Sequence, residues 1–487
     1  MLAVVVPAIG VVLAMALGGR WPGRVAALAL FAGLAVALAI LWQVWRAGAV
    51  LTYHIGGWAP PLGIALRADG LAAAMTVMTA VVLCAIGAFA WRGFSVAEGQ
   101  EDARAPAAFW TLFLGIWCGL ETVWLGVDLF TLYVALELLT FGAVPVVSLD
   151  GRAETLTAAL RYLLFALLGS VLYLLGVALI YAAFGTLDIA LLAERVRPGP
   201  MVNVALTLMT VGLIAKTALF PLYLWLPPAH AGAPVAGSAL LSSLVVKGSF
   251  VLIVRLWFDA LPGQLTPSAG QLLGALGAMA ILFGSVLALR QARLKLMIAY
   301  STVAQIGYLF FVFPLVGASS WSAVAWTGGV LQLISHAVAK AAMFMAAGLI
   351  GEALGHDRIA GFNGLGRALP VTVFAFGLAG MSLMGLPPSG GFVAKVMLLT
   401  AAMAEGQWWW AVVILAGGVL AGFYVFRVLA LATASAGPAP ACKAPIPAAR
   451  QGVVLALAIG ALLLGFLPLR PSPLLEIGRP LPPAASP

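Results

Sequence analysis

Long apolar runs, separated by short polar or Pro/Gly-rich breaks, fill this chain of 487 residues from its first residues almost to its last. The runs are about 20 residues or longer, the length a helix needs to cross roughly 30 Å of hydrocarbon, whereas barrel strands would show short alternating segments. The pattern predicts about fourteen spans, near 1–18, 25–44, 70–91, 106–125, 128–148, 157–184, 203–222, 236–258, 269–289, 297–316, 321–350, 369–403, 408–432 and 451–469. The fourth and fifth adjoin around Glu121 and Asp128, and the long twelfth contains a break.

Two interruptions look alike. Leu226, Pro227 and Pro228 follow the seventh span, and Leu386 to Gly391 interrupt the twelfth with a second Leu-Pro-Pro and two glycines. Proline removes a backbone donor, so a helix broken at depth leaves carbonyls that must be shielded by protein or face a wet cavity. Paired interruptions in two halves of a membrane protein point to inverted repeats, here spans four to eight against nine to thirteen.

Composition agrees with the pattern. With 63% hydrophobic and 8% charged residues, the chain is too apolar for a soluble domain of its length. Its net charge of +9 reflects arginines lying mostly between spans, which argues for topology and against a nucleic-acid partner. Breaks after odd-numbered spans hold twelve Lys/Arg and those after even-numbered spans, with the tail, hold six. The positive-inside rule then places the first set in the cytoplasm and both termini outside. The N-terminus reads as a retained first helix, without the basic region and cleavage site of a signal peptide. Cys84, Cys118 and Cys442 form no ligand cluster, so no cofactor, metal or catalytic redox centre is expected.

Six lysines occur, and Lys216, Lys247, Lys340 and Lys395 lie inside apolar runs. A cation near the bilayer centre costs roughly 2.5–3.5 kcal/mol on insertion scales; burial also favours the neutral amine, which makes a row of lysines a candidate proton path. Glu137 in the fifth span is the obvious partner for Lys216, because pairing favours the charged lysine and separation releases its proton. Lys247 lies about eleven residues into its span, roughly 16 Å of helix, with Ser242, Ser243 and Ser249 near enough to hold water. His336 and Lys340, four apart, share a helix face and suit a relay. Lys395 follows the second break, as a gated exit would. His230, on the first interrupted segment, reads equally as an auxiliary transfer group or as a helix cap. Arg161, one turn into the sixth span, reads equally as an interface anchor or as a group tuning Lys216.

Five segments then carry a family resemblance: Gly56-Gly-Trp-Ala-Pro-Pro61, the stretch around Glu137, Trp225-Leu-Pro-Pro-Ala-His230 followed by Lys247, Ala299-Tyr-Ser-Thr-Val-Ala-Gln-Ile-Gly307, and Gly385-Leu-Pro-Pro-Ser-Gly-Gly-Phe-Val-Ala-Lys395. In order and spacing they resemble the antiporter-like, proton-conducting subunits of Mrp cation/proton antiporters, respiratory complex I and membrane-bound hydrogenases, over roughly residues 50–430. The resemblance implies an all-α polytopic membrane protein of fourteen helices, two inverted five-helix repeats, broken helices seven and twelve, and a hydrated polar axis along the membrane plane. It also implies that Glu137 and Lys216 form a controlling pair, that Lys247 bridges to the centre and that Lys395 faces the second half-channel. Lys395, His336 with Lys340, and the Gly56–Pro61 segment look most like Mrp D-type chains. The pair Ala135 and Leu136 departs from the tryptophan expected before Glu137.

The expected organisation is 1–105 for helices one to three, 106–260 and 261–432 for the two repeats, and 433–487 for the last helix and tail. The expected function is proton translocation, in a multi-pass subunit of the cell inner membrane, through Glu137, Lys216, Lys247, His336, Lys340 and Lys395. Other membrane subunits would supply cation antiport, with Na⁺ carried by them, or quinone or hydrogenase redox chemistry. Complex I and hydrogenase subunits remain open as the parent, as does a stand-alone secondary transporter.

Overall fold

The structure, a computed structural model, describes residues 1–95, 104–317, 319, 321–434 and 440–479. Of the C-terminal unit expected over 433–487, residues 435–439 and 480–487 therefore lie outside the described residues. The elements in chain order are α1 (Leu2–Leu17), α2 (Trp21–Ala47), β1 (Leu51–His54), β2 (Ala65–Ala68), α3 (Gly70–Ala90), α4 (Arg104–Leu125), α5 (Leu129–Val147), α6 (Ala153–Phe184), α7 (Ile189–Arg195), α8 (Pro200–Thr217) and α9 (Leu226–Gly232). There follow α10 (Val235–Ala260), α11 (Pro267–Leu289), α12 (Leu294–Leu315), α13 (Ser322–Leu354), α14 (Pro370–Met384), α15 (Gly390–Ala404), α16 (Trp408–Thr433) and α17 (Ala448–Phe466). Among the described residues twelve helices are long and apolar enough to cross a membrane, and α1, α14 and α15 are shorter apolar helices.

The helices differ sharply in what surrounds them. Across its most apolar stretch α10 is 100% buried, and α13 is 94% buried, while α17 is only 22% buried. Thus α10, α12 and α13 form the centre and α1, α2 and α17 the lipid-facing periphery. A helix that is hydrophobic all round is a buried one, and the polar residues on these central helices are therefore enclosed by protein.

Local chemistry sets the boundaries. The runs adjoining at Glu121 and Asp128 are separate helices, because the Asp128 carboxylate accepts from the Thr131 N–H at 2.7 Å and caps α5. The seventh span ends earlier than expected. Its break covers 218–225, with Ala218 left-handed at φ 58, whereas Pro227 and Pro228 sit in the first turn of α9, where the missing N–H costs nothing. The second break falls at 385–389, between α14 and α15, with Gly385 at φ 82. The β1–β2 hairpin, Leu51 opposite Ala68, and α7 are too short to leave a periodic signal.

Contacts sort the connections into two ends. At one, Arg293 pairs with Asp357 at 2.9 Å, Arg450 with Glu352 at 2.6 Å, and the Lys443 N–H donates to Ala353 O at 2.7 Å. These connections follow spans counted as odd from the sequence. At the other end Leu66 bridges Gly126, Asp128 bridges Asp188, and the Gly70 N–H donates to Ile477 O at 2.9 Å. These follow even-numbered spans.

The second end is held by ions. Asp69, which caps α3, receives Arg255 Nη1 at 2.5 Å and Nη2 at 2.8 Å, and Arg67 lies at 3.3 Å. Burial pushes the Asp69 carboxyl upward, but the Arg255 guanidinium outweighs it and, with Arg67 and the Ala72 N–H, holds the carboxyl below the usual carboxylate range. A depressed pKa stabilises the fold above the unfolded value of about 3.9, and that stability is lost as pH falls through the folded value. Asp69→Asn should therefore cost about 3 kcal/mol at neutral pH, read as a lower thermal midpoint in detergent. The gap to wild type should close as pH drops below the carboxylate range; a gap that persists in acid would assign the effect to packing.

Candidate functional site

A carboxylate and an amine meet at the first broken helix. Glu137 on α5 lies 3.2 Å from Lys216 Nζ in the last turn of α8. The amine also donates to Thr140 Oγ1 at 2.8 Å and Leu136 O at 3.5 Å, and Ser170 of α6 donates to the same Glu137 oxygen. A cation there also faces the negative end of the half-helix dipole. Close packing holds the pair: a Cβ at Gly169 would meet Gly212 O at 2.5 Å, and one at Gly212 would meet Gly169 O at 2.3 Å. Only glycine lets α6 and α8 cross this tightly.

The break itself is satisfied from nearby. Trp225 Nε1 donates to Ala215 O at 2.9 Å and its ring stacks on Tyr162 at 4.2 Å. From Lys216 the path continues inward. Thr217 Oγ1 donates to Ser249 Oγ on α10 at 2.9 Å. A cavity of about 20 Å³ bounded by Thr140, Lys216, Val245 and Ser249 has room for one water.

Lys247, on α10, has no exposed surface and is among the largest fully buried side chains. It follows a π-helical turn over Leu241–Val245, a distortion frequent at functional sites, and its amine donates to Ser242 O. Ser242 Oγ meets Thr302 Oγ1 of α12 at 2.8 Å. Thr302 donates to Ile298 O at 3.1 Å, and the same carbonyl accepts Lys340 Nζ at 2.8 Å. Lys340 also donates to Ser301 Oγ. Lys247 and Lys340 are thus joined through Ser242, Thr302 and Ile298.

Gln305, one turn beyond Ser301 on α12, bonds to the second break. Its amide donates to Leu383 O at 3.1 Å, at the end of α14, and Lys395 Nζ reaches that same oxygen at 2.5 Å from α15. Gln332 donates to Gln305 Oε1 at 3.1 Å, and Lys395 sits 4.3 Å from the Tyr308 ring centre. The two breaks hold their amines differently: the second offers the Leu383 carbonyl at the end of α14 to Lys395, whereas at the first Lys216 itself sits in the last turn of α8 and reaches Leu136 O on α5.

The structure treats the other expected residues differently. His336, fully enclosed one turn from Lys340, has neither ring nitrogen hydrogen-bonded. His230 is also enclosed and stacks on Phe344 at 4.8 Å, and neither of its ring nitrogens is hydrogen-bonded among the described residues, so its side chain caps no helix there. Arg161 is exposed on α6. Ser170 joins the path without a signal in the sequence, and Thr302 and Gln305, although within the segment Ala299–Gly307, are not singled out there as path residues, because hydroxyls and amides on apolar helices carry no charge anomaly. Glu121, a boundary residue in the apolar pattern, is enclosed on α4, bonded to Trp117 Nε1 at 3.0 Å and off the path.

An enclosed line of amines, hydroxyls and carbonyls through a polytopic helical membrane protein defines the class of this molecule. Residues 126–421 match the family described as NADH:quinone oxidoreductase/Mrp antiporter, transmembrane, and the chain belongs to that family. It is 34% identical over 461 residues to NADH-quinone oxidoreductase subunit N of Desulforudis audaxviator, covering 90% of this chain and 89% of that one. To a Na⁺/H⁺ antiporter subunit of Bacillus subtilis it is 28% identical over 401 residues, 81% and 78% of the two chains. Among solved structures it is similar to a chain of the Mrp complex from Dietzia sp., with a TM-score of 0.84 at 26% identity over 95% and 94% of the chains. It is likewise similar to a chain of respiratory complex I from Thermus thermophilus, with a TM-score of 0.74 at 26% identity over 96% and 97%.

Proposed function

We propose that the chain is a proton-translocating subunit of a larger membrane complex, passing protons among Glu137, Lys216, Lys247, His336, Lys340 and Lys395. The observation that carries this is the bonded link from Lys247 through Ser242, Thr302 and Ile298 to Lys340, which spans the three central helices α10, α12 and α13. Fixed amines repel metal cations, so protons rather than Na⁺ use this line. His230 stands beside it as an auxiliary group, and Arg161 acts as an interface anchor.

Both ends of the line favour partner subunits. The Glu137 side chain is 14% exposed, beside exposed Val134, Leu138 and Phe141, and an acid facing lipid at depth is costly. At the other end Lys395 lines an apolar groove of about 470 Å³ between α15 and α16. Neighbouring membrane subunits covering both places would let events there move charge within this chain, and the energy would come from them, as cation antiport or redox chemistry. Identity is higher to the quinone oxidoreductase relative than to the antiporter relative, whereas the TM-score is higher to the Mrp chain than to the complex I chain, so the proposal extends to both kinds of parent.

Counting α1 as a span and α14 with α15 as one crossing gives fourteen, with α4–α10 and α11–α16 as inverted repeats within 106–260 and 261–432. The arginine-rich end then faces the cytoplasm and both termini face outward across the plasma membrane. Thr302→Val, which removes the bridging hydroxyl while keeping shape, should slow proton flux in proteoliposomes of the assembled complex about tenfold, and Thr302→Ser should restore it. Unaltered flux in the valine variant would sink the path.

A further inference from the structure

The segment after α17 is tied to two places that the proton line does not explain. The first is the second broken helix, where α17 ends. A Cβ at Gly465 would collide with Ser389 N, and one at Gly390 would meet Leu464 Cβ at 2.6 Å and collide with Ser335 Oγ. The last turn of α17, the first turn of α15 and α13 therefore touch without space between them. The sequence explains why α17 goes no further, because Pro468, Pro471 and Pro473 follow closely and lack the donors a helix needs.

Beyond this point the chain is exposed from Phe466 to Arg470 and then docks again, at the end held by Asp69 and Arg255. The Ser472 N–H donates to Thr327 Oγ1 at 3.2 Å, Trp326 Nε1 donates to Leu475 O at 3.0 Å, and the Gly70 N–H donates to Ile477 O at 2.9 Å. Leu475 is buried there. Gly70 opens α3, where amides have no partner inside the helix, and a Cβ on it would collide with Leu474 O. Residues 464–477 thus form a strap, seated at both ends and exposed in the middle.

Both seats bear on Lys395. The first holds the opening turn of α15, five residues or roughly 7.5 Å of helix before that amine. The second holds the start of α13 at Trp326 and Thr327, about two turns before Ser335, against which the same turn of α15 packs. We propose that the strap is a latch on the second broken helix: seated on Gly70, it keeps the first turn of α15 in place and Lys395 on Leu383 O, and its release frees that turn to carry the amine toward the outer face. The latch rests on the proton line proposed above. Local opening of such a segment is cheaper than unfolding the helices it spans, which is how moving parts are drawn from a packed structure.

Gly70→Ala in the assembled complex tests the latch, because alanine suits a helix and its Cβ displaces Leu474. Hydrogen exchange read by mass spectrometry should show amides at 474–477 and at 390–396 exchanging at least about tenfold faster than in wild type. Faster exchange at the strap alone, at neither place, or evenly throughout the chain overturns the proposal. A second variant, Ser472→Cys/Thr327→Cys in a Cys442→Ser chain, is closed with copper phenanthroline and reopened with dithiothreitol. Closing should lower proton flux at least about fivefold and reduction should restore it, as for a gate that must open in each cycle. Flux at the wild-type rate in the closed form also overturns the latch. A wild-type complex without proton flux would instead remove the proton line, and the exchange result alone would then decide whether the strap holds α15.

Discussion

Glu137→Gln is expected to abolish proton translocation while leaving the chain folded and assembled. The amide keeps the carboxylate's shape and can still accept from Ser170, but it removes the charge that holds a proton on Lys216 3.2 Å away. Coulomb attraction at this separation is several-fold stronger in a protein interior than in water, so losing the carboxylate charge breaks the pair that holds Lys216 in place. Lys216→Met should have the same effect for the complementary reason: the acceptor survives and the proton carrier does not. Methionine is preferred to alanine because it fills the space beneath Gly169. Since both residues serve one switch, the double variant should be no slower than either single variant. Proton flux in proteoliposomes, with subunit stoichiometry checked after purification, decides the matter; flux at the wild-type rate in either single variant would exclude the pair as the switch.

The anomaly of charge in an apolar run made this much legible from sequence. Glu137, Lys216, Lys247, Lys340 and Lys395 stand out because nothing but function or pairing justifies their desolvation, and all five sit on or beside the central helices. The breaks were legible too, through Pro227 and Pro387, although the first lay several residues away, since proline is content in a helix's first turn and the chain turned at Ala218 instead. What stayed hidden is what connects the charges. Ser242 is one serine among several, and only the crossing of α10 and α12 puts it 2.8 Å from Thr302. Gln305 likewise acquires meaning from Leu383, distant in sequence, whose carbonyl is free only because α14 stops there. Such links depend on which helices pack together, and all-round apolar helices leave no face from which to read their neighbours.

That separation between carriers and connectors makes Lys247 the sharpest test of the whole arrangement. It lies at the middle of the line, has no exposed surface, and its one bonded acceptor is a backbone carbonyl in the π-turn. No carboxylate pairs with it among the described residues, so its burial is an uncompensated cost to the fold. Lys247→Leu should therefore raise the thermal midpoint of the purified chain, because it removes the desolvation cost of an unpaired buried amine while keeping the bulk of the side chain. The same variant should carry no proton flux, because leucine can neither take a proton from the Lys216 side nor pass one to Thr302 and Lys340. A structural lysine predicts the reverse pairing, a less stable chain that still conducts. Measuring stability and flux on one preparation separates the two, and a Lys247→Leu chain that loses stability while keeping its flux would remove Lys247 from the path.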